Sequence, residues 1–170
     1  MFIDETGVNL ALARLYGRAR RGQRASGAVP KNYGESVTLI GALDESGLLA
    51  SLSFRGATDT AAMQVFVSEI LLPVLSAGDC VVWDNLAVHK TRVVRELFRE
   101  AGVELLFLPP YSPDLNPIEM CWSKLKTYLR SVGARTYESL SEAISAAIKL
   151  ITAADARNWM RHCGYVSHLL

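Results

Sequence analysis

CVVWDNLAVHKTRVVRELFREAGVELLFLPP, residues 80–110, carries the reading on which the fold turns. It begins with a short continuous apolar run, Cys80 to Trp83, of the kind a strand buried on both faces presents. From about Thr91 the period changes. Val94, Leu97, Phe98 and Ala101 recur at helical spacing, and Gly102 is a suitable stop. A second apolar run, Val103 to Leu108, is closed by Pro109 and Pro110. Strand, helix and strand in succession make a crossover unit that lays its two strands parallel.

Upstream, SVTLIGAL (36–43) and LLASLSF (48–54) alternate in period two around the turn residues DESG, which predicts a hairpin. Val37, Leu39 and Leu43 fall on one face, and Leu48, Leu52 and Phe54 on another. After Thr58 and Asp59, good N-cap types, a helical pattern runs through Ala62, Phe66 and Ile70 until Pro73. At the start, Phe2 and Ile3 read as a stub of strand leading into Asp4, and residues 6–34 read as one long Arg- and Gly-rich excursion. Downstream the chain is helical over about 117–131, 137–150 and 153–162, with Thr152 and Asp155 at capping-box spacing before the last. Early antiparallel strands followed by crossovers predict an α/β domain, a mixed sheet with helices on both faces and a helical C-terminus over 136–170.

The bulk composition excludes more than it assigns. A chain of 170 residues suits a single domain, with half its residues apolar and about a fifth charged. No apolar run approaches the ~20 residues of a membrane span, and MFID lacks the basic start of a signal peptide. Cys80, Cys121 and Cys163 are an odd, unclustered set without metal-ligand spacing, as expected of a reduced cytoplasmic protein. The net charge of +1 is uninformative, but its distribution is not. Arg14, Arg18, Arg20, Arg21 and Arg24 lie together without an acid between them. Such a run is commonly a solvated loop; its functional reading is an arm that grips phosphates.

Three carboxylates stand out, each with a bland alternative. Asp84 closes the run VVW, where open α/β sheets place their ligands, yet Asp-Asn is also a good turn signal. Asp4, with Glu5 beside it and Thr6-Gly7 behind, has the same ambiguity. For Glu119 the competitor is sharper: Asn116 as N-cap and Pro117 as first helical residue would make it the far end of a capping box. In the same helix, Ile118, Trp122, Leu125 and Leu129 should face the core. Glu119, Ser123, Lys126 and Arg130 follow one position later, as on a helix edge turned toward phosphates.

Taken in order, FIDETG (2–7), VVWDN (81–85) with His89-Lys90, and LPPYSPDLNPIE (108–119) with Trp122 and Leu125-Lys126 form a long and specific string. It resembles the catalytic Asp-Asp-Glu pattern of DDE transposases, in particular the mariner-like insertion-sequence group of bacteria, with thirty-four residues between Asp84 and Glu119. The resemblance runs from about Phe2 to Tyr165. It implies an RNase H-like fold, which the element order also matches, and catalytic metal ligands at Asp4, Asp84 and Glu119. Two Mg²⁺ or Mn²⁺ ions would be held there, because hard oxygen donors select such cations and a pair of them serves in-line displacement at phosphorus. Without metal, clustered carboxylates repel one another and tend to hold protons.

The implied activity is DNA strand cleavage followed by 3′-OH strand transfer, with transposon ends and target DNA as partners and a homodimer as the active form. Asn85, His89 and Lys90 are candidates for substrate phosphate contact, joined by Lys126, Arg130 and the five arginines of a clamp-like excursion. The Pro-rich loop at 109–116 is stiff and should aim Glu119. The family's helix-turn-helix region is missing from these residues, so an upstream reading-frame product is an expected partner. Only three residues precede Asp4 against the ~5–6 of a typical strand, so its strand is expected to be weakly held. These two features favour the alternative, a non-catalytic, truncated remnant that binds DNA or interferes with transposition. A host nuclease of the same fold is a third reading, which the PYSPDLNPIE motif opposes.

Overall fold

The computed structural model describes residues 1–86 and 90–165. In chain order its strands and helices are β1 (Phe2–Asn9), β2 (Ser36–Asp44), β3 (Gly47–Arg55), α1 (Thr60–Val65), β4 (Cys80–Trp83), α2 (Arg92–Glu100), β5 (Glu104–Phe107), α3 (Ile118–Val132), α4 (Tyr137–Ile148) and α5 (Ala153–His162). They form one five-stranded sheet in the order β3-β2-β1-β4-β5. The first three strands are antiparallel, and β1, β4 and β5 run parallel. The crossover read from residues 80–110 is present, and so is the mixed sheet.

The first strand departs from expectation. Far from a stub, β1 has eight residues and pairs with β2 over its whole length, from Phe2 opposite Leu43 to Asn9 opposite Ser36. Residues 6–9, expected in the excursion, therefore belong to the sheet, and the irregular stretch starts only after Asn9. Phe2, Asp4, Thr6 and Val8 are all buried, a period-two pattern that two polar members conceal from a hydrophobicity reading. Phe2, Ile3, Thr6 and Val8 favour extension, and pairing with β2 carries the strand through Asp4, Gly7 and Asn9, which do not.

Helices cover both faces. Ile3, Ile40, Val81 and Trp83 pack with Met63, Phe66, Val94 and Phe98 beneath α1 and α2. Phe2, Val8, Val37 and Leu39 pack with α3, α4 and α5 through Trp122, Leu125, Leu140 and Ala156. Side chains as completely buried as Ile3, Leu39 and Phe66 each contribute roughly 1.5–3 kcal/mol. The hairpin carries one irregularity. Ala42 pairs with Ala50 but Leu43 pairs with Leu48, so Leu49 is an extra residue in β3. That bulge reverses the alternation, and Leu48 packs with the Val37 cluster instead of joining Leu52 and Phe54.

Helix α1 is capped by Asp59, whose Oδ1 accepts from the Ala62 N–H at 2.8 Å. It continues through a π-helical turn (Phe66–Leu71) and a 3-10 turn (Leu72–Val74) that contains Pro73. The wider turn keeps Met63, Val67 and Leu71 on the buried side. At the other end of the chain the Thr152–Asp155 capping box is formed as expected, and a second box joins Thr136 and Ser139. No helix among the described residues is long and apolar enough to cross a membrane.

Candidate active site

Asp4 lies on the middle strand of the sheet, opposite Gly41 in the antiparallel ladder. Period two directs it to the α3 side, where the Trp122 indole N–H donates to Asp4 Oδ2 at 2.9 Å. Only 8% of Asp4 is exposed. Burial raises its carboxyl to about 7, with the charge of Glu119 the next cause; the Glu5 backbone N–H and the Trp122 indole oppose the rise.

Asp84 is the first residue past β4, at the carboxyl end of the strand beside Asp4. It is half-buried, and its Oδ1 accepts from the Leu86 N–H at 3.2 Å, so the turn role and the ligand position coincide. Glu119 stands exposed in the first turn of α3, where the helix dipole favours an anion. The capping-box alternative is not realised. Pro117 occupies the cap position, no side chain caps the helix, and Glu119 meets Asn116 through a backbone bond of 3.2 Å. Asn116 is buried instead, 4% exposed, with its amide Oδ1 unpartnered.

The three carboxylates line one cavity of about 330 Å³, walled by Asn85, Leu86, Leu108, Asn116 and the loop from Pro109 to Pro113. That loop is fixed at both ends. The Leu108 N–H donates to the Trp83 carbonyl at 2.7 Å, and the Tyr165 hydroxyl donates to the Leu115 carbonyl at 2.8 Å. Tyr111 takes the left-handed conformation at φ 57° to turn it. Among the described residues, no three acidic, His or Cys side chains converge closely enough to hold a metal ion as they stand. The sheet thus assembles the acidic set around one space without closing it into a coordination cage.

The other expected contact residues are dispersed. Asn85 is in the cavity wall, its Oδ1 buried and unpartnered. Lys90 lies over the Phe107 ring at 5.3 Å and beside Arg92 and Arg95, outside that wall. His89 falls outside the described residues. Lys126 and Arg130 are half-buried on the row that follows Glu119, while Ile118, Trp122, Leu125 and Leu129 are buried, as the helical spacing predicts.

Arg14, Arg18, Arg20, Arg21 and Arg24 are all exposed and have no acidic partner among the described residues. Arg14 joins Arg130 in a shallow groove with Leu15, Tyr16 and Thr127. The root of the excursion is held by Arg135, whose Nη1 donates to the Leu10 and Leu12 carbonyls at 3.0 and 2.9 Å. Sequence reading passed over Arg135, Gly41 and the polar tie of Trp122. Trp122 was visible through its helical spacing and its place in the motif string, neither of which marks its N–H.

A mixed sheet of this order, with helices on both faces, is the sheet of an RNase H-like domain. A family model described as DDE superfamily endonuclease matches residues 1–142, and the chain belongs to that family. It is 30% identical over 125 residues to the transposable element Tcb1 transposase of Caenorhabditis briggsae, covering 71% of this chain and 46% of the relative. Among solved structures, the Mos1 transposase paired-end complex with left transposon end superposes with a TM-score of 0.74 at 21% identity, covering 96% of this chain and 50% of that one. The Mos1 mariner paired end complex with Mn gives 0.73 at the same identity, covering 96% and 51%. The chain thus spans about half the length of these relatives.

Proposed function

We propose that this chain is the catalytic domain of a mariner-like transposase, cutting DNA strands at the ends of an insertion element and joining the exposed 3′-OH to target DNA. One observation carries the reading: Asp4, Asp84 and Glu119, eighty and thirty-five positions apart along the chain, line the same cavity. The donor set suits Mg²⁺ or Mn²⁺. It is all oxygen, and two unpartnered amide oxygens, from Asn85 and Asn116, stand with it. A pair of such ions, when bound, would neutralise charge developing on the attacking and leaving oxygens of an in-line displacement.

The protein's own groups supply the rest. Asp4, part-protonated by burial and by the charge of Glu119, has charge to place on a cation as the proton leaves. Asp84 is held at the mouth of the sheet by its own turn, and Glu119 is carried on the first turn of a rigid helix. Lys126, Arg130 and the five exposed arginines offer phosphate contacts along α3 and the excursion. The DNA in the Mos1 paired-end complex supports a duplex end as the partner of this surface, and its Mn counterpart supports the metal class. A homodimer as the active unit belongs to the same proposal.

The test is Mg²⁺- or Mn²⁺-dependent nicking of a duplex carrying the element's end. Asp84→Asn should abolish nicking with the thermal unfolding midpoint nearly unchanged. Undiminished cleavage by that variant sinks the triad assignment. A parent chain that binds the duplex yet never cuts it favours the non-catalytic reading.

A further inference from the structure

We infer that Trp122 is a positioning residue that sets the spacing between Asp4 and Glu119, with Gly41 as the seat for its ring. The inference rests on the reading of Asp4, Asp84 and Glu119 as cation ligands. Glu119 and Trp122 are three positions apart on α3, so their separation along the axis is fixed at roughly 4.5 Å by helix geometry. The indole then ties that turn to β1 through the 2.9 Å bond from its N–H to Asp4 Oδ2. One rigid helical turn therefore carries the third carboxylate and grips the first.

The choice of donor matters. An indole N–H donates one hydrogen bond and never carries charge, so it orients the carboxylate without competing with a cation for it. A lysine or arginine at this place would neutralise Asp4, and an aliphatic side chain would leave Oδ2 without this partner. Space for the ring comes from the strand opposite. Gly41 pairs directly with Asp4, and a Cβ there would stand 2.6 Å from Trp122 Cη2 and 3.0 Å from Leu48 Cδ1. Gly41 is not among the residues at positive φ, so what it supplies is room, not an unusual backbone conformation. With Trp122 only 2% exposed, the ring has no second place to go.

The experiment follows Mn²⁺ binding to the intact chain by the paramagnetic resonance of free Mn²⁺, below each variant's unfolding midpoint. Trp122→Phe keeps the ring's bulk and removes the N–H. It should weaken Mn²⁺ binding about tenfold, the usual size of an outer-shell loss. A merely structural Trp122 would lower the unfolding midpoint in EDTA and leave the affinity of the folded protein unchanged, and that outcome overturns the inference.

Asp84→Asn is the reference. If it binds Mn²⁺ as the parent does, the ligand reading itself fails and takes this inference with it. If Asp84→Asn loses binding while Trp122→Phe keeps it, only the positioning role is lost. A second readout needs no variant. In the parent, the Trp122 indole N–H resonance, assigned through the ring's contact with Gly41, should move on titration with Mg²⁺. A stationary resonance overturns the role of Trp122.

Discussion

Two aspartates bond to helix α3 and are treated in opposite ways. Asp155, at the start of α5, receives the Lys124 ammonium at 2.6 Å, the Thr152 N–H at 2.9 Å and the Thr152 hydroxyl at 2.7 Å, all on Oδ2. Those donors, Lys124 first, hold its carboxyl down at about 2. Asp4 is more deeply buried, faces Glu119, and has the neutral Trp122 indole and one backbone N–H, so its carboxyl rises to about 7. Trp122 and Lys124 are two positions apart, so one helix serves both aspartates. Where the aim is stability, the fold supplies a counter-charge. At Asp4 the surrounding groups are the neutral indole, one backbone N–H and the like charge of Glu119, which suits the cation site proposed for it.

The most severe way to break this contrast is to neutralise each aspartate in turn. Asp4→Asn retains an acceptor for the indole and should lower metal-dependent cleavage by about 10²–10³-fold or more, as expected when charge stabilisation at the reacting phosphate is removed. Asp155→Asn should leave cleavage within about twofold, since Asp155 is not in the cavity wall and its bonds run to Lys124 and Thr152. Comparable losses in both variants, measured as single-turnover nicking, would mean that Asp4 acts through the fold alone.

Cations obey the same division. Lys124 is paired with Asp155, whereas Arg18, Arg20, Arg21 and Arg24 have no acidic partner among the described residues. Replacing those four with alanine should weaken duplex binding and flatten the dependence of log affinity on log salt, by up to about 4 in slope if each meets a phosphate. An unchanged slope in fluorescence anisotropy across salt concentrations would make the excursion a solvated loop.

How far the site was legible in the sequence follows the same line between local and tertiary causes. Residues 80–110 announced strand, helix and strand because apolar runs, helical period, Gly102 and the two prolines each act within a few residues. Asp84 was legible for that reason. The length of β1 was not, since Gly7 and Asn9 are ordinary turn residues until β2 pairs with them. The bulge at Leu49 is likewise decided by the partner strand. Asn116 and Pro117 read as a cap and first turn because that is their local preference. The loop tied down by Tyr165 buries the asparagine and shifts the cap to the proline. Trp122 was assigned to the core by its spacing, but no periodicity reveals which buried N–H meets a carboxylate on a distant strand.

Stability against pH separates the two aspartates further. Asp4 has a native value near 7 against an ordinary 3.8, so between these limits the folded chain holds the extra proton. Its contribution is fully present below the ordinary value and is lost as pH rises toward 7. In EDTA, the chain should therefore lose stability from about pH 4 to pH 7, by on the order of a few kcal/mol. Asp4→Asn should remove that slope, and at pH 8 should be more stable than the parent. Urea unfolding at several pH values measures this, and a variant that keeps the slope would place its origin elsewhere.

Asp155 gives the smallest effect and the opposite sign. Its native value lies below its ordinary one, so its stabilisation is present above about 3.8 and disappears as pH falls through about 2. The pair with Lys124 is partly exposed, which caps its contribution at about 1 kcal/mol by the measure of surface ion pairs. Lys124→Met should therefore lose about that much from the ion pair at pH 7, and proportionally less at high salt. The loss should fall on α5 and on the turn joining it to α4, because Lys124 also donates to the Leu150 carbonyl at 2.9 Å. Amide exchange resolves this: protection should drop in Ala153–His162 while β1 and its Asp4 stay protected. Equal loss in β1 would show that the two aspartates share one cooperative unit, and the contrast between them would then be of charge alone and not of region.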